Sequence, residues 1–119
     1  MTDSAIIDPQ ALDRLREWGG EKLAGQMVRL FLKNTGGRMD QIRAGVAHGD
    51  LEKAERGAHS LKSSAANIGA EVLRTLATRL ERAALDSNLE DARTLLPELE
   101  AAYADAMREL EALERSLVE

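Results

Sequence analysis

His59 is the residue of this 119-residue chain whose type and setting could do chemistry. It lies in the run Glu55-Arg56-Gly57-Ala58-His59-Ser60-Leu61-Lys62-Ser63. In a helix, residues three and four apart share a face, so Arg56, Lys62, Ser63 and Glu55 become its neighbours. Two cations, one turn to either side of an exposed imidazole, attract an anion and stabilise charge on it. A phosphoryl group fits that description, and neutral imidazole is a competent nucleophile near pH 7. Ser63, Ala65 and Ala66 are small and keep the surface low, so that another protein's recessed carboxylate can approach closely. The sequence carries no glycine-rich nucleotide loop, and no acid cluster is legible beside His59 to hold Mg2+. The expectation is a protein that receives phosphate and does not make it, with no kinase activity and no cofactor of its own.

Each of these residues also has a plainer reading. Arg56 is explained without phosphate by Glu52, four residues before it on the same helical face. His48 sits at a helix end, where a cationic side chain suits the dipole. Gly69 reads as a helix terminator and Asn67 as a brace for the same turn.

The composition narrows the scaffold that must hold His59. Hydrophobic residues at 44%, charged residues at 31%, aromatics at 3% and two prolines describe a soluble, all-α domain and argue against a β-sandwich. Zero cysteines exclude disulfides and thiolate ligands, and two histidines make a structural metal improbable. The net charge of -5 argues against a nucleic-acid binder. Most of the acidity is C-terminal, since residues 89–119 hold nine acids and three bases. No apolar run approaches the roughly 20 residues of a membrane span and the N-terminus has no signal-peptide pattern, so a cytoplasmic location is expected. Met1 and short termini lead us to expect a free-standing single domain, 1–119.

Capping signals divide the chain. Asp8-Pro9 opens a short helix that Gly19-Gly20 closes after Trp18. A second helix runs from about Glu21 to Ala47, with a weak point at Asn34-Thr35-Gly36-Gly37 where it should kink or split. Gly49-Asp50 ends it and starts a third helix, whose stripe Leu51, Ala54, Ala58, Leu61, Ala65 and Ile68 points on the order of 130° away from His59. A fourth helix follows to about Asp86, through Leu73, Leu76, Leu80 and Ala84. The fifth starts after Asn88 with the seam Ala92, Leu96, Leu99, Tyr103, Ala106, Leu110, Leu113 and Leu117, bent at Pro97. Short loops favour antiparallel neighbours, which predicts an up-down four-helix bundle with a short additional N-terminal helix and a wholly apolar core.

The stretch His59-Ser60-Leu61-Lys62-Ser63-Ser64-Ala65-Ala66-Asn67-Ile68-Gly69-Ala70 resembles the motif of the histidine phosphotransfer domains of two-component phosphorelays, with lysine three and glycine ten residues after the histidine. The likeness extends to Leu73, Leu76, Ala77, Leu80 and Glu81. It implies that His59 is phosphorylated, that Lys62 neutralises phosphoryl charge, and that Ser63 belongs to the close-approach surface in place of the glycine many members carry. The implied partners are receiver domains of response regulators and hybrid histidine kinases, with Mg2+ on the receiver only. Receivers would dock beside the histidine, on a surface to which Arg56, Ala66, Phe31 and Leu32 are assigned, and the carrier would be a monomer. The competing readings are a non-catalytic module that binds receivers or kinases, a structural protein dimerising through its acidic seam, and the phosphoacceptor domain of a chemotaxis-type kinase.

Overall fold

Capping chemistry places the helix ends. In the computed structural model, which describes residues 6–118, the Asp8 side chain accepts from the Gln10 N–H at 3.0 Å and starts α1 (Pro9–His48). Gly49, at φ 71°, ends α1, and Asp50 caps α2 (Leu51–Ile68) by accepting from the Lys53 N–H at 3.1 Å. Gly69 ends α2 and is followed by α3 (Glu71–Leu85). The Asn88 side chain then accepts from the Asp91 N–H at 3.0 Å as α4 (Leu89–Val118) begins. Met1, on which the expectation of a free-standing chain leaned, lies outside the described residues.

The architecture is all-α. Each helix packs on the next, and α4 returns against α1 to close a four-membered bundle. The short N-terminal helix is residues 9–18 of α1, separated from the long helix by non-helical Gly19 and Gly20, the latter at φ 70°. It lies over the α2–α3 turn, where the Asp8 N–H donates to the Gly69 carbonyl at 2.8 Å. Gly69 is required there twice over, by its φ of 81° and because a Cβ would meet the Ala11 Cβ at 2.6 Å. Among the described residues, no helix is long and apolar enough to cross a membrane.

Three expectations are corrected. Asn34-Thr35-Gly36-Gly37 does not break α1, which is helical throughout that stretch. Thr35 explains why: its hydroxyl donates to the Phe31 carbonyl at 2.7 Å and shares a 3.2 Å hydrogen bond with the Tyr103 hydroxyl, pinning the glycine pair against α4. Packing therefore outweighs the roughly 1 kcal/mol that each glycine costs. The α4 seam is also wider than expected, burying Leu95 and Ala102 beside Ala92, Leu99, Ala106 and Leu110, with Leu96, Tyr103 and Leu113 half-buried against the core. A single heptad seam selects Leu96 and Tyr103, whereas α4 faces both α3 and α1 and presents a wider stripe to them. The side chain of Leu117 lies outside the described residues. The third correction is that the core is not wholly apolar, because it buries Thr35 and Glu81.

α1 and α2 approach closely where their facing residues are small. A Cβ on Gly45 would sit 2.7 Å from the Ala54 backbone nitrogen and 2.8 Å from the Asp50 carbonyl oxygen, and neither backbone atom can rotate away. Gly45→Ala is therefore expected to destabilise the protein by roughly 1–3 kcal/mol, read as a lowered urea midpoint with little change in slope.

Candidate functional site

α2 places His59 as the stripe requires. Ala54, Ala58, Leu61, Ala65 and Ile68 are buried, and the His59 side chain is 60% exposed. The site is completed from α3, where Ala77, Leu80, Glu81 and Ala84 occupy one buried face. Glu81 therefore stands at a core position although it is an acid, and its side chain is only 10% exposed. Its Oε2 accepts from His59 Nδ1 at 2.6 Å and its Oε1 accepts from Lys62 Nζ at 2.8 Å.

The electrostatics follow from these two bonds. Burial pushes the Glu81 carboxyl up, but the hydrogen bonds from Lys62 and then His59, with their charges, outweigh burial and hold it below the ordinary value of 4.5. An ionised carboxylate only accepts, so the proton between the partners belongs to Nδ1. The imidazole is thereby kept in the tautomer whose Nε2 lone pair is free, and its ring is fixed in orientation. This is an arrangement for nucleophilic attack by Nε2, with a buried negative charge behind the ring to balance positive charge that develops on it.

The two cations expected to flank His59 are both occupied. Lys62, 30% exposed, is held by Glu81, and Arg56 faces Glu52 at 3.5 Å in the i,i+4 pair that explains it without phosphate. Ser63 is exposed and its hydroxyl donates to the His59 carbonyl at 3.3 Å. Ala66 is exposed and Leu32 half-buried. Phe31, at 4% exposure, shapes the floor of a surface more than it offers a protruding contact. It lines a recess of about 180 Å³ between α1 and α2, with Met27, Leu30, Asn34, Ser64 and Asn67.

Two acids stand beside His59 in the fold. Glu55 and Glu81 each bring a carboxylate oxygen to within 4.8 Å of a His59 ring nitrogen and of one another. The 2.6 Å gap between His59 and Glu81 is that of a hydrogen bond. His59 and Lys62 are hydrogen-bonded to Glu81, and Glu55 stands beside them. Sequence reasoning missed Glu81 as a working residue. The signal available was an acid on the buried stripe of α3, three residues before Ala84 and four after Ala77, which calls for a partner cation.

Comparison with known proteins adds the following. A family model described as Hpt domain matches residues 26–117. Histidine-containing phosphotransfer protein B of Pseudomonas aeruginosa superposes with a TM-score of 0.88 at 23% identity, over 96% of this chain and 98% of that one. A histidine-containing phosphotransfer protein from maize gives a TM-score of 0.81 at 20% identity, over 96% and 88% of the two chains. A third structure, of a rice protein, gives 0.78 at 16% identity, over 97% and 86%. At these identities the structures attest the shared fold. No curated protein sequence is similar enough to this chain to count as a match.

Proposed function

The chain belongs to the Hpt domain family, and from that premise we propose that it is a phosphorelay carrier in which His59 Nε2 takes a phosphoryl group from a receiver aspartate and yields it to another. The observation that carries this reading is an exposed imidazole whose Nδ1–H is bound by a buried, ionised carboxylate. In the forward step the Nε2 lone pair forms the N–P bond. The acyl-phosphate P–O bond breaks, and its electron pair returns to the receiver's carboxylate. The Nδ1 proton stays against Glu81, which offsets the positive charge the ring acquires. The return step reverses each change, so flow in both directions is available to the same site. Mg2+ belongs to the receiver in this scheme, and the carrier works as a cytoplasmic monomer without kinase activity of its own.

Lys62 enters through its contact with Glu81. Lys62→Ala removes the cation that balances a buried carboxylate beside the imidazole, the cation to which the family resemblance assigns phosphoryl charge. We expect transfer to slow about tenfold, equivalent to about 1.4 kcal/mol, in a rapid-quench time course at saturating receiver.

The test of the reading is transfer of radiolabelled phosphate from a Mg2+-loaded, phosphorylated receiver to this chain. Acid-labile label on the chain supports the carrier. Binding of several receivers with no label on any trial favours a module that docks without chemistry.

A further inference from the structure

The helix that borders the recess carries a charge pattern that the phosphoryl chemistry does not use. Between residues 22 and 39 there are four bases, Lys22, Arg29, Lys33 and Arg38, and no acid, in a chain of net charge -5. Lys22, Gln26, Arg29 and Lys33 recur at steps of 4, 3 and 4, which is the outward stripe opposite buried Ala24, Val28, Phe31 and Thr35. Among the described residues none of the four cations is in an ion pair, whereas Arg43, farther along the same helix, is held by Asp40 and Glu100. Leu30 stands beside this stripe, 50% exposed, as a ridge between two hollows. One is the recess with Phe31 and Ser64, and the other is a shallow hollow of about 350 Å³ lined by Gln26, Arg29, Leu30 and Lys33.

The recess shares α2 with the site. Ser64 and Asn67 follow His59 by five and eight residues on α2, roughly 8 and 12 Å along the helix axis. A standard protein interface covers about 800 Å² per partner and spans both places. An exposed leucine between two hollows is the kind of anchor on which a protein partner closes, and unpaired cations at its edge set partner charge and encounter rate.

We infer that the partner's footprint extends from His59 over the Leu30 ridge to the Lys22/Arg29/Lys33 stripe, and that the receiver this chain serves presents carboxylates there. The inference rests on the carrier reading and adds the chemistry of the partner. An anionic nucleic acid or lipid surface is disfavoured, because the apolar ridge and the hollows are shaped for side chains and the rest of the chain is acidic.

The test uses the full chain and its Arg29→Glu/Lys33→Glu variant, both positions being exposed and glutamate being a good helix former. Two phosphodonors are compared: phosphoramidate, which needs no docking, and a receiver that labels the wild type in the experiment above. The variant should keep its helical circular dichroism and take phosphate from phosphoramidate at the wild-type rate. From the receiver, its second-order rate should fall about tenfold or more, with a flatter dependence on salt. Equal rates from the receiver, in wild type and variant, overturn the inference. So does unchanged transfer accompanied by lost binding to a 24-base-pair DNA duplex or to phosphatidylserine vesicles. A wild type that takes no phosphate on His59 from either donor overturns the carrier reading beneath it.

Discussion

His59→Gln is expected to abolish phosphoryl acceptance and to leave the protein folded. Glutamine has an amide N–H to offer the Glu81 carboxylate in place of Nδ1, so the buried acid keeps a donor, but it has no lone pair basic enough to attack phosphorus. The side chain it replaces is 60% exposed and outside the core, so stability should change by no more than about 0.5 kcal/mol. In a receiver transfer assay we expect label to fall at least about a thousandfold, to background, with the wild-type urea midpoint retained. Label that persists in the variant would move the acceptor elsewhere, first of all to His48, the other histidine of the chain.

Glu81→Gln has the second largest expected effect. The substitution preserves shape and burial and removes the charge that selects the Nδ1–H tautomer. A glutamine amide donates as readily as it accepts, so His59 is free to carry its proton on Nε2, where it blocks attack. Positive charge developing on the ring also loses its counter-charge at 2.6 Å. Loss of an orienting carboxylate in a buried triad costs about 10⁴ in rate; at this more open site we expect about a hundredfold. Nitrogen chemical shifts of the His59 ring should report the change of tautomer directly. Unchanged shifts and rates together would remove Glu81 from the mechanism.

The same substitution has a signature in acid. The folded Glu81 carboxyl holds its proton less tightly than the ordinary value of 4.5 that applies to the unfolded chain. Its contribution to stability is therefore complete above about 4.5 and is lost as pH falls through the lower folded value. Wild type should lose stability over that window by more than Glu81→Gln does, and urea midpoints measured from pH 6 to pH 3 would show the difference. Two parallel curves would mean that the carboxylate's bonds to His59 and Lys62 add nothing to the fold.

Much of the molecule was legible in sequence because its determinants are local. Asp8, Asp50 and Asn88 act on backbone N–H groups within three residues, and Gly49 and Gly69 relieve strain at their own positions. The α2 stripe needs only the helical repeat to turn His59 outward, and the motif from His59 to Gly69 is contiguous. Such features are set by bonds and dihedral angles within a few residues, so one chain read in order contains them. The expected break at Gly36-Gly37 failed for the complementary reason. The helix is maintained there by Thr35 meeting Tyr103, 68 residues away, and local propensity has no knowledge of that contact.

The sequence by itself therefore determined the helices, their ends, and which face of α2 carries the imidazole. Tertiary structure decided what stands behind the imidazole and what lies beside it. Glu81 lies 22 residues from His59 and reaches it only because α2 and α3 pack side by side, which also turns Lys62 from a free cation into the partner of a buried acid. The place of Phe31 in the floor of the recess is set in the same way, through the packing of α1 on α2. Capping and periodicity are short-range and act along the chain, whereas burial and ion pairing depend on which faces meet in space, and that is settled only when the bundle closes.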